Sequence, residues 1–141
     1  MKADAVPGDI DRLLDRSGLS HLMFRACRLL GKRFGRDAVT GAAWTMLLEL
    51  YVSKNRRAIS IKALCLLSGA PIRTALRIID GLVARKLVLR KPDARDRRQV
   101  NIELSRGAIR QMDAYFDELG MIIKRNRQGH HGPDVIRQPR L

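Results

Sequence analysis

Four residues, Ser-Gly-Ala-Pro at positions 68–71, separate two stretches that have the spacing of short amphipathic helices. Gly69 permits the unusual backbone dihedrals of a tight turn, and Pro71 suits the first position of a following helix. Ser60 is placed to cap the first stretch, IKALCLLS, and the second stretch is PIRTALRIIDGLVARK. The predicted buried side of the second helix consists of Ala75, Leu76, Ile79, Leu82 and Val83. Two helices joined by such a turn predict a helix-turn-helix.

A β-hairpin is predicted directly after these helices. Residues 98–104, RQVNIEL, alternate between apolar and polar side chains, so that every second residue faces a core. The preceding strand is LVLRK, and between the strands lies PDARDR, whose Pro and Asp residues favour a turn. A basic hairpin after a helix-turn-helix predicts a winged helix.

Further helices are predicted on both sides of this unit. Residues 9–35 contain an apolar row of helical spacing, and Asp9 is the predicted N-cap. Thr40 is predicted to cap a second helix, which contains the only tryptophan of the chain. Ser105 is predicted to cap a long last helix after the hairpin.

The expected fold is mainly α with a small antiparallel β-hairpin, in one domain at residues 9–125. A chain of 141 residues is long enough for one such domain with a sizeable core. Residues 1–8 are expected to form a flexible N-terminus. Residues 126–141, which are rich in Gly, His, Pro and Arg, are expected to form a basic mobile tail.

The chain is strongly basic. Lys and Arg number 28 against 14 Asp and Glu, which gives a formal net charge of +14. Such an excess indicates a polyanionic partner, most often nucleic acid. An anionic membrane surface is the competing interpretation, but we find no apolar run long enough to span a bilayer and no apolar core of a signal peptide. We therefore expect a cytoplasmic, nucleoid-associated protein with no membrane partner.

The residue types that often carry catalysis or bind metals do not form a recognisable site. Cys27 and Cys65 lie in helical patterns and are predicted to be reduced, buried thiols. The adjacent pair His130–His131 lies in the tail and is interpreted as solvated. Asp113 and Asp117 share a helix face without a His, Ser or metal-type partner, which favours a polar face. We expect no metal, no cofactor and no enzymatic activity.

The DNA contacts are predicted in two groups. In a helix-turn-helix the first residues of the second helix reach the base edges in the major groove; here these are Ile72, Arg73, Thr74 and Arg77. An arginine-tipped wing can reach a neighbouring minor groove, and its candidate residues are Lys91, Arg95, Arg97 and Arg98. The alternative for both groups is ordinary surface charge. Their place after the turn and between alternating strands favours DNA contact.

Two carboxylates lie among the arginines of the wing. Pro92 and Asp93 favour a turn, because an Asp side chain can accept nearby backbone N–H bonds. Asp96 can pair with a neighbouring arginine and hold its guanidinium in a defined plane. Asp93 and Asp96 are therefore interpreted as residues that orient the wing. The alternative is that they only offset excess positive charge.

The stretch LVARKLVLRKPDARDRRQVNIELSRGA resembles the winged-helix core of MarR-type transcriptional regulators. Those sequences often contain Leu-x-x-x-Gly-Leu-Val, a basic strand, Asp-x-x-Asp-Arg-Arg and then Leu-Thr-x-x-Gly. Asp93, Asp96, Arg97 and Arg98 match the third element as it stands. The resemblance covers about residues 40–120, and the wing is its most specific part.

The resemblance implies a homodimer formed by N- and C-terminal helices and bound to a pseudo-palindromic operator. A small-molecule effector is possible in this family, but no motif in the sequence identifies a pocket for one. Two positions depart from the pattern. Lys86 stands where the family has Gly, which predicts a left-handed residue at that helix end, and Ser105–Gly107 is one residue shorter than Thr-x-x-Gly.

The sequence as a whole predicts specific binding of double-stranded DNA by a dimeric transcriptional regulator. One alternative is a nucleoid or plasmid-maintenance protein with the same domain and little sequence preference. Another is an RNA-binding or protein-interaction module, because winged helices also serve those uses.

Overall fold

A computed structural model of the chain describes residues 15–35, 41–53 and 57–127. The described residues belong to two compact units. One unit is Leu30–Tyr115, and the other contains the helical residues that precede Leu30 and follow Tyr115. The predicted flexible N-terminus and the predicted caps Asp9 and Thr40 lie outside the described residues. Of the predicted tail, residues 128–141 also lie outside them, whereas residues 126–127 continue the last helix and were wrongly assigned to the tail.

The described residues form a mainly helical fold with one small sheet. The helices are α1 (Arg16–Phe34), α2 (Ala42–Val52), α3 (Ile61–Ser68), α4 (Ile72–Ala84) and α5 (Arg106–Arg127). The strands are β1 (Ile59–Ser60), β2 (Val88–Pro92) and β3 (Val100–Leu104). Helices α3 and α4 form the predicted helix-turn-helix, and β2 with β3 forms the predicted hairpin.

The sheet is antiparallel, with the strand order β1-β3-β2. Val88 lies opposite Leu104, and Pro92 lies opposite Val100, so the hairpin is paired along its whole length. Strand β1 adds Ile59 opposite Ile102 on the other edge of β3. The sequence did not predict β1, because a strand of two residues is too short to show alternation.

The core of the Leu30–Tyr115 unit is built on α2, which packs against α3, α4 and β3. Helix α4 buries Ala75, Ile79 and Leu82, as predicted. Leu76 was also predicted to be buried, and this is wrong: its side chain is 41% exposed. The other fully buried side chains of this unit include Met46, Leu47, Leu50, Leu64, Val88, Ile102 and Met112.

Serine side chains begin two helices, as their positions predicted. The Ser60 hydroxyl accepts a hydrogen bond from the backbone N–H of Ala63 at 3.2 Å. The Ser105 hydroxyl accepts one from Ala108 N–H at 3.0 Å. In each helix the bond satisfies one of the N–H groups that have no partner within the helix. The stretch IKALCLLS is helical from its first residue to its last.

Lys86 has a φ of 59° just after α4, which confirms the predicted left-handed conformation. Its backbone N–H bonds Val83 O at 2.9 Å, and the next N–H, of Leu87, bonds Leu82 O at 3.0 Å. These bonds satisfy the last carbonyls of the helix while the chain turns into β2.

Lys86→Gly should raise the stability of the fold. A non-glycine residue in the left-handed region costs roughly 1 kcal/mol, and that cost disappears with glycine. We expect the melting temperature, measured by circular dichroism, to rise by a few degrees. Lys86→Ala is the matched control, because it removes the side chain and keeps the backbone cost. A clear loss of stability in Lys86→Gly would contradict this account of the helix end.

Candidate nucleic-acid interface

The turn between α3 and α4 fixes where α4 begins. Gly69 has a φ of 71°, in the left-handed region where glycine carries no steric cost. Ser68 holds the turn with its hydroxyl, which donates to Cys65 O at 2.7 Å and accepts from Ala70 N–H at 3.2 Å. Pro71 then precedes the helix with a φ of −55°, and its carbonyl accepts the Ala75 N–H at 2.8 Å. The first turn of α4 therefore starts directly after a short, well-bonded turn.

Helix α4 presents its predicted DNA-binding side chains to solvent. Ile72, Arg73, Thr74 and Arg77 are all exposed. Successive residues of a helix are rotated by about 100°, so Arg73 and Arg77 fall opposite the buried row that begins at Ala75. Ile72 falls on one flank of the arginine row, and Thr74 falls on the other. The buried side of α4 therefore packs against the core, while the opposite side exposes a row of guanidinium groups to solvent.

The wing loop is closed by backbone hydrogen bonds. Asp93 N–H donates to Gln99 O at 2.9 Å, and Gln99 N–H donates to Asp96 O at 3.0 Å. The arginines predicted to bind DNA, Arg95, Arg97 and Arg98, lie in this loop and are exposed.

The two carboxylates of the wing bind its backbone. One Asp93 carboxylate oxygen accepts Arg95 N–H at 2.9 Å, and one Asp96 carboxylate oxygen accepts Arg98 N–H at 3.0 Å. Each bond links an acid to the residue two positions later, which is the geometry of an Asx-turn. The sequence had suggested that Asp96 pairs with a guanidinium. Among the residues that the structure describes, its carboxylate instead bonds the main chain of Arg98.

The basic residues nearer the base of the hairpin have acidic partners. Lys91 Nζ lies 2.7 Å from a carboxylate oxygen of Glu103 on β3. Arg90 contacts the Asp80 carboxylate and ties β2 to α4. Lys91, a predicted DNA-binding residue, is therefore partly neutralised, whereas within the described ranges Arg95, Arg97 and Arg98 have no carboxylate partner. Sequence reasoning missed the Arg90–Asp80 pair, because the residues are ten positions apart and only the fold brings them together.

Comparison with solved structures identifies the fold. The Staphylococcus aureus MepR–DNA complex matches with a TM-score of 0.62 and 22% identity, over 79% of this chain and 86% of that one. MarR from E. coli matches with a TM-score of 0.55 and 19% identity, over 87% and 90% of the two chains. Transcriptional regulator Tm0710 from Thermotoga maritima matches with a TM-score of 0.65 and 19% identity, over 84% and 81%. This chain has a MarR-type winged-helix fold. No protein-family model and no curated protein matches the sequence.

The aromatic residues of the Leu30–Tyr115 unit take part in packing. The Trp44 ring lies 6.0 Å from the Phe34 ring and 5.3 Å from the Tyr115 ring, which makes it part of a packed cluster. The Tyr51 hydroxyl donates to the Asp113 carboxylate at 2.6 Å. Asp113 therefore links α5 to α2 and serves packing.

One prediction about the thiols is wrong. Cys65 is buried, as expected, but Cys27 is exposed on α1. The apolar neighbours of Cys27 along α1 suggested burial, yet two of them, Met23 and Phe24, are themselves exposed. No cluster of three or more His, Cys, Asp or Glu side chains that could hold a metal occurs among the described residues. In the same part of the chain, no helix combines the length and the hydropathy that a membrane span requires.

The hydrogen bond that the Asp96 carboxylate accepts from the Arg98 backbone N–H predicts opposite effects for two substitutions. Asp96→Ala removes the acceptor, so we expect a looser wing and weaker DNA binding, by about 1 kcal/mol or roughly fivefold in Kd. Asp96→Asn keeps an oxygen acceptor and removes a negative charge, so binding should be equal or tighter. Fluorescence anisotropy with a labelled duplex at several salt concentrations measures both.

Asp96 could instead offset charge or orient a guanidinium, and each of these roles predicts a different pair of DNA affinities for Asp96→Ala and Asp96→Asn. If Asp96 only offset charge, both variants would tighten binding. If it held a guanidinium, both would weaken binding. Asp117→Ala, which removes an exposed acid from α5, is the control for the loss of charge alone.

Proposed function

We propose that this chain is a transcriptional regulator that binds double-stranded DNA sequence-specifically. The observation that carries the proposal is the exposed row of Arg73 and Arg77 on the first two turns of α4, opposite its buried side. The formal net charge of +14 supports a polyanionic partner. The likeness to MepR, which was solved in complex with DNA, and to the transcriptional regulator Tm0710 supports the same function.

In this proposal α4 enters the major groove. Arg73 and Arg77 donate pairs of hydrogen bonds to guanine O6 and N7, which is the commonest specific contact of arginine with a base. Thr74, on the flank of the arginine row, contacts a phosphate or a thymine methyl group. These contacts specify sequence because base edges differ from one base pair to another, whereas phosphates do not.

The wing provides the second contact. Arg95, Arg97 and Arg98 reach the neighbouring minor groove and its phosphates, where positive charge gives affinity with little sequence preference. The Asx-turns of Asp93 and Asp96 support this role, because they order the backbone that carries these arginines. A loop that is ordered before binding loses less conformational entropy when DNA arrives.

The proposed assembly is a homodimer. Leu19, Met23 and Phe24 on α1 and Met121 on α5 are exposed apolar side chains, and they all belong to the unit outside Leu30–Tyr115. Large apolar side chains that are exposed on these two helices favour burial of the helices against a partner. A second copy of the chain would place two α4 helices on half-sites about 34 Å apart, one turn of DNA.

Selection from a random duplex library tests the proposed function. The full-length protein is incubated with the library, and the bound fraction is recovered and sequenced over several rounds. We expect enrichment of a site with two related half-sites, because a dimer that binds DNA sequence-specifically contacts one half-site with each subunit. Binding without enrichment would indicate the low-specificity nucleoid or plasmid-maintenance alternative. RNA of equal length is added as a competitor in a parallel incubation, and retention of RNA in preference to duplex DNA would indicate the RNA-binding alternative.

A further inference from the structure

The exposure of two apolar side chains on α4 needs an explanation. Ile72 is 65% exposed and Leu76 is 41% exposed, although both lie in a helix that has a well-packed buried side. Neither contributes to the core, which α4 fills with Ala75, Ile79 and Leu82. An isolated exposed leucine is common on protein surfaces. Ile72 and Leu76, however, both lie beside the arginines that are proposed to contact bases. In that position they can contribute to DNA recognition.

Helix geometry makes Ile72 and Leu76 a continuous flank. They are four residues apart, so their side chains are neighbours on one side of the helix, about 5–6 Å apart at Cβ. The row of Arg73 and Arg77 runs next to them, because each arginine follows one of the two by a single residue. The axial distance of about 6 Å between the two apolar residues corresponds to nearly two base-pair steps.

The major groove contains one apolar group that such a flank can recognise. Thymine alone among the four DNA bases carries a methyl group there, next to its O4 acceptor. The neighbouring arginines and the net charge of +14 favour a polyanion as the occupant of this surface over an apolar protein. A helix held in the groove by its arginines would bring the apolar flank against the base edges.

We infer that Ile72 and Leu76 are specificity-determining residues that read thymine methyl groups beside the guanines bound by Arg73 and Arg77. The inference rests on the proposed function and extends it to the base preference of the site. It assigns the arginines to guanine and the apolar flank to thymine. The preferred half-site therefore contains a guanine and a thymine within a few base pairs of each other.

The test replaces thymine by uracil, which differs only by the methyl group. Starting from the site selected out of the random library, each thymine of a half-site is changed to uracil one at a time, and Kd is measured with the full-length protein. We expect at least one replacement to weaken binding about fourfold, the value for one buried methyl-sized group. In Leu76→Ala or Ile72→Ala that same replacement should change Kd by less than about 1.5-fold, because the partner of the methyl group is gone.

Leu89→Ala is the matched control. Leu89 is 45% exposed, close to the 41% of Leu76, but it lies on β2. This variant should keep the full thymine-to-uracil effect. All three substitutions remove exposed side chains, and unchanged melting temperatures would show that the fold is intact.

The outcomes separate this inference from the proposed function. Failure to select any preferred duplex would overturn both. A preferred site without thymine, or one where no uracil replacement weakens binding, would overturn the methyl reading and leave specific binding in place. A methyl effect that persists undiminished in both Leu76→Ala and Ile72→Ala would also overturn it, because other residues would then read the methyl group.

Discussion

Replacing Arg77 by alanine should weaken binding to the preferred site by about 1–3 kcal/mol, which is roughly 5- to 150-fold in Kd. Arg77 is exposed on the second turn of α4 and lies opposite the buried side of the helix. If its guanidinium binds guanine O6 and N7, the lost binding free energy comes from a contact that forms only on the preferred site. On random duplex DNA the same variant should lose much less, because most of that binding is to phosphates.

Arg110→Ala is the control for this experiment. Arg110 is an exposed arginine of α5, so its removal lowers the net charge equally and leaves α4 intact. Its effects on preferred and random DNA should be small and similar. Equal losses on both DNAs for Arg77→Ala would assign that residue to phosphate, and the specificity would have to come from elsewhere on the surface.

Placing an acid on the exposed apolar surface of α1 should have an effect of similar or greater size. Met23 is 68% exposed, although it is a large apolar side chain. If a second copy of the chain covers it, Met23→Asp buries an unpaired charge in the interface and prevents association. DNA affinity should then fall by about 100-fold or more, because the two half-sites are no longer bound together.

Sedimentation equilibrium measures this prediction directly. We expect a dimer for the wild-type protein at micromolar concentration and a monomer for Met23→Asp. His21→Asp provides the matched control, because at about 100° per residue it places the same acid on the other side of α1. A wild-type monomer, with and without DNA, would refute the dimer.

Local signals predicted much of the helix-turn-helix and its ends. The whole of α3 followed from its cap and its turn, because the Ser60 hydroxyl and Gly69 act within a few residues of their own position. The left-handed conformation of Lys86 was predicted from the resemblance, because MarR-type sequences have Gly at this helix end and the next residue must start a strand. The alternation of RQVNIEL likewise predicted which face of β3 is buried.

Features that depend on contacts between distant residues were not predictable in this way. Periodicity placed Leu76 on the apolar side of α4, but it could not show that the core covers only part of that side. The Arg90–Asp80 contact requires the register of β2 against α4, which no local pattern contains. Asp96 was correctly predicted to form a hydrogen bond in the wing, but its donor is the Arg98 backbone N–H and not an arginine side chain. The sequence cannot distinguish these donors, because a carboxylate in a turn accepts equally well from main chain or side chain.

Sequence-specific recognition of duplex DNA, as proposed for this protein, is tested by a fluorescence anisotropy titration of the full-length protein at two salt concentrations. The probes are the selected duplex, the same duplex with its half-sites shuffled, one of its single strands, and an RNA of equal length. We expect the selected duplex to bind about 10³-fold more tightly than the shuffled one, and the preference to persist at the higher salt. Equal affinities for the selected and shuffled duplexes, or tighter binding of the RNA, would contradict the claim.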